Sequence, residues 1–305
     1  MDLADAAPAE WMALSTSAHW NQTEEDWRTM LALGRGWGLR LRDANSGRDE
    51  LVASTLVLPY AQRFAWISMV LVLPAQRGRG HAARLLGVAL EDLRSQALLP
   101  LLDATPAGRP VYLKQGFVDA WGFERWRRKA LAGAVPPAVV PPASATSMAK
   151  AAAAADVRPL RESDWPAVDA NDVVAFGASR LRLLRALAQR LPGAAWLVEG
   201  VVGPRGFLLG RDGRTALQLG PLVADDDGTA IDLLRAALGA LHRDSAARGR
   251  DLIVDLRNGR EPLAAWLRAQ GFAPERPFTR MVHGAGNAAP GDAARICLVA
   301  GPELG

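Results

Sequence analysis

Two Pro-Pro pairs and an alanine tract, ALAGAVPPAVVPPASATSMAKAAAAAD over residues 130–156, divide the chain into stretches of similar length. Proline fixes φ and removes a backbone donor, and a run with almost no charge and no apolar periodicity has no face to bury. This is linker chemistry, with a short helix in the alanine tract as the alternative. At 305 residues the chain exceeds one ordinary domain, since about 100–150 residues is the commonest size. The pattern predicts a domain over 1–132, a linker over 133–155, a second domain over 156–284, and a tail over 285–305 that it leaves unassigned.

The two halves carry the same punctuation, which is the mark of internal duplication. In the first, residues 24–33 read as a helix, and 51–58 and 65–73 as strands rich in Val, Ile and Leu. Leu85, Leu86, Ala89, Leu90 and Leu93 recur at helical spacing within 82–98. A short apolar strand over 99–103 and an aromatic one over 121–126 complete it. In the second half, Asp164 is placed to cap a helix that opens at Trp165 and Pro166. Strands are expected over 156–160, 195–199, 205–209, 216–223 and 252–256. A helix is expected over 229–241, and EPLAAWLRAQGF precedes a last strand. Each half therefore runs strands, helix, strand, helix, strand.

Half of the residues are hydrophobic and 22% are charged, which fits a globular chain. No run of about 18 uncharged apolar residues occurs, so no membrane span is expected. The acidic start MDLADAAPAEW lacks a basic-then-apolar signal pattern, and a cytoplasmic protein is the expectation. The single cysteine, Cys297, excludes an internal disulfide framework, and with four scattered histidines it gives no zinc-like ligand set. The pI near 9.8 raises nucleic-acid binding. The net charge is only +4, however, and 33 of the 36 basic residues are arginines spread among acids. Only RWRRK, residues 125–129, forms a basic run, so nucleic acid is a disfavoured partner.

The most specific stretch is VLVLPAQRGRGHAARLL, residues 70–86: a strand, a loop holding two glycines among arginines, and a helix from about Ala82. Glycines let successive backbone N–H groups face outward at the positive end of a helix, and together these cradle an anion. Arg77 and Arg79 add charge at the rim, and a pyrophosphate is the natural guest. A Walker loop needs GxxxxGK[ST], which is absent. A dinucleotide fingerprint finds Ala83 in its third slot and lacks the expected opening βαβ context. A solvated surface turn is the plain alternative.

The spacing resembles the GNAT superfamily of acetyl-CoA-dependent N-acetyltransferases, whose strand ending in V-x-P leads into [QR]-x-x-G-x-[GA]. Here Val72-Leu73-Pro74 precedes Arg77-Gly78-Arg79-Gly80-His81-Ala82. The resemblance implies that these loop amides hold the coenzyme A pyrophosphate. It also implies that the strand edge at Val70, Leu71 and Val72 pairs with pantetheine, and that a strand amide there polarises the thioester carbonyl. Tyr112-Leu113-Lys114-Gln115-Gly116-Phe117 is similar to the family's Y-x-x-x-G-F, in which the tyrosine is a general acid. A phenol suits that role because the departing thiolate takes a proton. A core aromatic with a satisfied hydroxyl is the alternative for Tyr112.

The second half keeps the punctuation and loses the chemistry. GPLVADDDGTAIDLL stands where the first half has its arginine-glycine loop, and three carboxylates repel a pyrophosphate. A metal loop is the other reading of those aspartates, but helix capping explains them. Leu267, beside Trp266, stands in the tyrosine slot. The whole resembles tandem GNAT proteins with a degenerate, YitH-like carboxy-terminal domain. It covers most of residues 10–284, on HWNQTEEDW, LDATPAG and YLKQGF in the first half and DVVAFGASR, LGRDG, LGPLVADD and TRMVHG in the second. The implied fold is α/β (α+β): two tandem domains, each a mixed, mostly antiparallel sheet with flanking helices and a splayed central strand.

The implied reaction is direct transfer from acetyl-CoA to a primary amine in a ternary complex, the acceptor being a small molecule or a peptide. Trp20, Asn21, Glu24 and Asp103 are the candidate acceptor residues, and a structural role is an alternative for each. Arg180, Asp172, Arg211 and Arg280 are the polar residues through which the second domain could close the pocket, or they pair within that domain. An acyl-CoA-binding regulator without turnover is the reading from another class. A homo-oligomer is compatible with the sequence and is not indicated by it.

Overall fold

The computed structural model describes residues 1–42, 47–130 and 157–305, so the expected linker over 133–155 lies outside the described residues. The first half runs α1 (Pro8–Ser17), α2 (Glu24–Leu33), β1 (Arg35–Arg42), β2 (Asp49–Tyr60), β3 (Phe64–Val72), α3 (His81–Ser95), β4 (Leu99–Ala104), α4 (Arg109–Leu113) and β5 (Phe117–Arg128). The second opens with β6 (Val157–Pro159), α5 (Trp165–Phe176), α6 (Leu181–Arg190), β7 (Trp196–Val198), β8 (Gly206–Arg211) and β9 (Leu217–Ala224). It closes with α7 (Asp227–Arg243), β10 (Leu252–Arg257), α8 (Glu261–Ala269), β11 (Ala273–His283) and β12 (Ile296–Leu298).

All twelve strands join one sheet, in the order β1-β2-β3-β4-β11-β5-β10-β12-β9-β8-β7-β6. Neighbours are antiparallel except β3–β4 and β9–β10. The last long strand of each half has crossed to the other. β11 lies between β4 and β5, paired with both, and β5 lies between β11 and β10. Phe123 of β5 and Phe278 of β11 stack across that seam, with ring centroids 5.0 Å apart.

The helices cover the sheet on its apolar residues. α3 lays Leu86, Ala89 and Leu93 on Val57, Ala65, Ile67 and Leu102. Trp11 and Leu14 of α1 and Trp27 and Met30 of α2 bury against Leu51, Leu56 and Leu58. α7 and α8 pack on β9 and β10 through Leu233, Leu234, Ala237, Leu263 and Leu267. Leu267, the counterpart of Tyr112, is thus a core residue.

One sequence expectation changes, and two stretches left open are now placed. Asp164 does not cap α5 with its side chain; its carboxylate accepts from the Arg161 backbone N–H and pairs with Arg158. The basic run at 125–129, disfavoured as a nucleic-acid face, lies in the central strand β5 up to Arg128, with Lys129 exposed just beyond it. There Arg125 is buried against Asp255, and Arg127 pairs with Asp251 and Glu275. The unassigned tail supplies β12, whose short run was hidden among Gly, Pro and Ala. α1, β1 and α6 also have no counterpart in the sequence reading.

The halves are tied at their edges as well. Asn21 sits between them: its amide donates to the Ala216 carbonyl at 3.0 Å and its oxygen accepts from the Thr215 and Ala216 N–H groups. Because β5 and β11 each complete the other half's sheet, neither half has a complete sheet alone. A chain cut by a protease at a site inserted between Ala130 and Val157 is expected to elute as one particle, its fragments separating only in denaturant. Size-exclusion chromatography of the cleaved protein checks this.

Candidate active site

β3 and β4 run in parallel only through Phe64↔Leu99, Ala65↔Pro100 and Trp66↔Leu101, and then diverge. From Ile67 to Val72 the β4-side edge of β3 has no strand partner, leaving backbone groups available to a ligand. A bulge lies in this stretch, where the β2–β3 register shifts between Ser54 and Leu56. Met69 there takes φ 50°, a left-handed conformation costing about 1–3 kcal/mol in a non-glycine residue. The Ser54 hydroxyl anchors it by donating to the Met69 carbonyl at 2.7 Å.

Past Val72 the chain turns through the loop that precedes α3. Gly78 and Gly80 have φ 77° and 82°, and Gly80 caps α3. A Cβ built at either position meets no atom within 4 Å. The loop therefore presents backbone to open space at the positive end of a 15-residue helix, the environment a pyrophosphate needs. Arg79 is exposed, while Arg77 folds back so that its Nε donates to the Val72 carbonyl at 3.1 Å. His81 and Ala82 open the helix, half-buried.

The gap widens into a cleft open to solvent. Ile67, Ser68, Met69 and Val70 of β3 form one wall, and Asp103, Thr105 and Tyr112 another. The remaining lining comes from distant chain: Trp20, Arg125, Arg276, Phe278, Pro302 and Glu303. The Tyr112 ring packs edge-on to Phe117, and its hydroxyl bonds to no described residue. Burial pushes the phenol up to about 12, so it carries its proton throughout the neutral range.

Of the four candidate acceptor residues, the structure brings Trp20 and Asp103 to the cleft. Asn21 serves as the bracket between halves. Glu24 is turned to solvent and pairs with Arg28 one turn along α2. The Asp103 side chain is fully buried and bonded at both oxygens to Arg280 of β11, at 2.9 and 3.0 Å. Burial lifts its pKa to about 6, against the pull of that guanidinium. Arg280 is in turn held between the rings of Trp66 and Trp121.

The other residues expected to face the first half divide. Arg180 and Asp172 pair within the second half, and Arg180 also donates to the Gly305 carbonyl at 2.5 Å. Arg211 bonds Asp26 of α2 and Glu303. Arg276, Arg125, Phe278, Pro302 and Glu303 were not foreseen. For Arg125, Arg276 and Phe278 the sequence signal was that β5 and β11 bear arginines and aromatics on one alternating face, whereas Pro302 and Glu303 lie in the unassigned tail.

The equivalent gap in the second half has a different fate. β9 and β10 pair at Leu217, Gln218 and Leu219 and then diverge. β12 fills the space between them: Leu298 pairs with Leu222 of β9 and Leu256 of β10, and the Val299 N–H donates to the Asp255 carbonyl at 3.1 Å. The helix start beside it is equally closed. Asp226 caps α7 by accepting from the Thr229 N–H, and Asp225, Asp226 and Asp227 pair with Arg295, Arg205 and Arg260. Beyond β12 the tail crosses to the first half. There the Pro302 carbonyl accepts from Trp66 Nε1 and the Leu304 carbonyl accepts from the Tyr60 hydroxyl.

Comparison with known proteins agrees with this architecture. Residues 5–117 match the acetyltransferase (GNAT) family, and residues 168–296 match an acetyltransferase (GNAT) domain. No curated protein matches the chain. Among solved structures, a GCN5-related N-acetyltransferase from Sphaerobacter thermophilus is 17% identical, with a TM-score of 0.61 over 93% of this chain and 96% of that one. A tandem GNAT protein from the clavulanic acid biosynthesis pathway is 18% identical, with a TM-score of 0.58 over 92% and 95%. A Pyrococcus horikoshii protein assigned to the acetyltransferases is 19% identical, with a TM-score of 0.68 over 98% and 91%. With an α+β sheet built from two such halves, the chain belongs to the GNAT superfamily as a tandem protein with two acetyltransferase domains.

Proposed function

We propose that the chain is an acetyl-CoA-dependent N-acetyltransferase with one active site, in the first half, that transfers the acyl group to a primary amine. The observation that carries this reading is the contrast between the two gaps. The β3–β4 gap is unpaired and leads into a cleft, whereas the β9–β10 gap is filled by the chain's own strand.

The open space at Gly78 and Gly80 fits a bound diphosphate, because nothing lies within 4 Å of where a Cβ would stand and both residues take the left-handed conformation that glycine favours. In this reading the amides of Gly78, Arg79, Gly80, His81 and Ala82 hold the pyrophosphate. The free edge at Val70, Leu71 and Val72 pairs with pantetheine. Acetyl-CoA supplies an acyl group activated as a thioester. The bulged backbone near Met69 and Val70 aims donors into the cleft, where they polarise the acyl carbonyl without reorganising. The amine enters the cleft beside the Asp103–Arg280 pair, and the surplus proton of its cationic form leaves to water before attack. As the C–N bond forms and the C–S bond breaks, Tyr112, protonated in the neutral range and with its hydroxyl unengaged, donates its proton to the departing sulfur. The proton shed by the new amide nitrogen passes through water to restore the phenol.

Calorimetric titration with acetyl-CoA is expected to give one site per chain, and Gly80→Glu to abolish binding. Two sites would show that the second half also holds the donor. A protein that binds none would return the loop to a surface turn. Tyr112→Phe is expected to lower kcat by about 10²-fold or more, as for removal of a general acid, with acetyl-CoA affinity unchanged. Steady-state thiol release paired with the titration checks this, and an unchanged kcat would make Tyr112 a packing residue.

A further inference from the structure

The two arginines that line the cleft are not in the same electrostatic state. Arg125 and Arg276 stand directly opposite one another on β5 and β11, a like-charge cross-strand pair that is unfavourable by itself. Arg125 is neutralised by Asp255 through two bonds, at 2.8 and 2.7 Å. Arg276 makes no ion pair or hydrogen bond with any described residue, and its Nε is buried without a partner. The nearby carboxylates are already committed: Asp255 to Arg125, Glu275 to Arg127 and Glu303 to Arg211. The guanidinium rests against Phe278, 4.9 Å from the ring centroid, which fixes its plane at the cleft wall. Burial and the neighbouring Arg125 both lower its pKa, the sign of a cation that lacks a counter-ion.

The other buried arginines of the second half, Arg180, Arg211 and Arg280, each hold a carboxylate. A cleft that keeps one half-buried guanidinium without an anion has a place for an anion from outside. The same cleft is lined by Asp103 and Glu303, whose charges are matched by Arg280 and Arg211, so among the described residues Arg276 is the lining charge left without an opposite partner.

We infer that the acceptor amine carries a carboxylate, as an amino acid does, and that Arg276 binds this carboxylate while the amine lies toward Asp103 and the bulged strand. The inference rests on the acetyltransferase reading and narrows its acceptor class. Guanidinium suits the task because its planar donors match a carboxylate bidentately.

The test is a panel of amino acids, each assayed with acetyl-CoA beside its own carboxamide. The carboxylate form is expected to exceed its carboxamide in kcat/KM by on the order of 30-fold, as for a charge-assisted contact. Arg276→Gln is expected to bring that ratio to about one, with Arg276→Lys restoring part of it. Both variants should keep wild-type acetyl-CoA affinity and thermal midpoint, which separates a specificity role from a folding defect. A wild-type enzyme that prefers carboxamides or plain amines, or a ratio that survives Arg276→Gln, overturns the inference.

If no pair is turned over, direct titration with the same amino acids, with and without acetyl-CoA, decides. Binding weakened tenfold or more in Arg276→Gln supports the inference, and equal or absent binding overturns it. Absence of acetyl-CoA binding overturns the acetyltransferase reading instead, so the two failures are distinguishable.

Discussion

The antiparallel seam between β5 and β11 is the constraint on which the remaining structure depends. Ten register pairs join these strands, from Ala273↔Arg127 to His283↔Phe117, and each strand also closes the opposite half's sheet. A strand inserted between two others has both rows of backbone groups satisfied, and withdrawing it would expose both rows of its neighbours as well. The halves are therefore one cooperative object although the sequence repeats one plan twice. Side chains that belong to different halves by sequence come to lie a single strand apart. The Asp103–Arg280 pair and the Arg125–Asp255 pair are both products of that exchange.

Around the seam runs a chain of buried charge. Arg190 and Arg211 share Asp26, Arg211 reaches Gln218 and Glu303, and Gln218 passes the connection to Asp255 and Arg125. Such pairs add little net stability over well-packed apolar residues, because desolvating the ions offsets most of their attraction. They are intolerant of partial removal, since one orphaned charge costs about 3–5 kcal/mol. The chain thereby fixes how the first helices, β9, β10 and the carboxy-terminal residues sit together. It also leaves Arg276, one strand away, without a carboxylate of its own.

The duplicated plan has diverged through what fills the two splayed gaps. One β9–β10 gap and one helix start are closed by β12 and by aspartates paired with arginines. The same tail then places Pro302 and Glu303 in the wall of the first half's cleft. A single segment of the chain thus closes one site and helps to build the other. Cys297 in β12 is buried within this plug, and its thiol is pushed up to about 12, which makes it an inert packing group.

Local chemistry made much of this legible. The spacing of Leu85, Leu86, Ala89 and Leu93 marks α3, β-branched runs mark β2 and β3, and the order of elements marks the duplication, because periodicity and backbone preference are properties of adjacent residues. Gly78 and Gly80 marked the loop before α3 for the same reason, and both take the left-handed conformation that glycine favours. The sequence also revealed the loss of the arginine-glycine loop and of the tyrosine from the second half. What only the tertiary structure decided is every feature built across more than a hundred residues of chain. That covers the exchange of β5 and β11 and the cleft contributions of Arg125, Arg276 and Glu303, and the insertion of β12 beside β9 and β10 is equally a tertiary choice. It also covers the conversion of Asn21 from a candidate acceptor contact into a bracket between the halves. Pairing partners are chosen by which edges and charges remain unsatisfied once the local elements exist, and that is settled only when the whole sheet assembles.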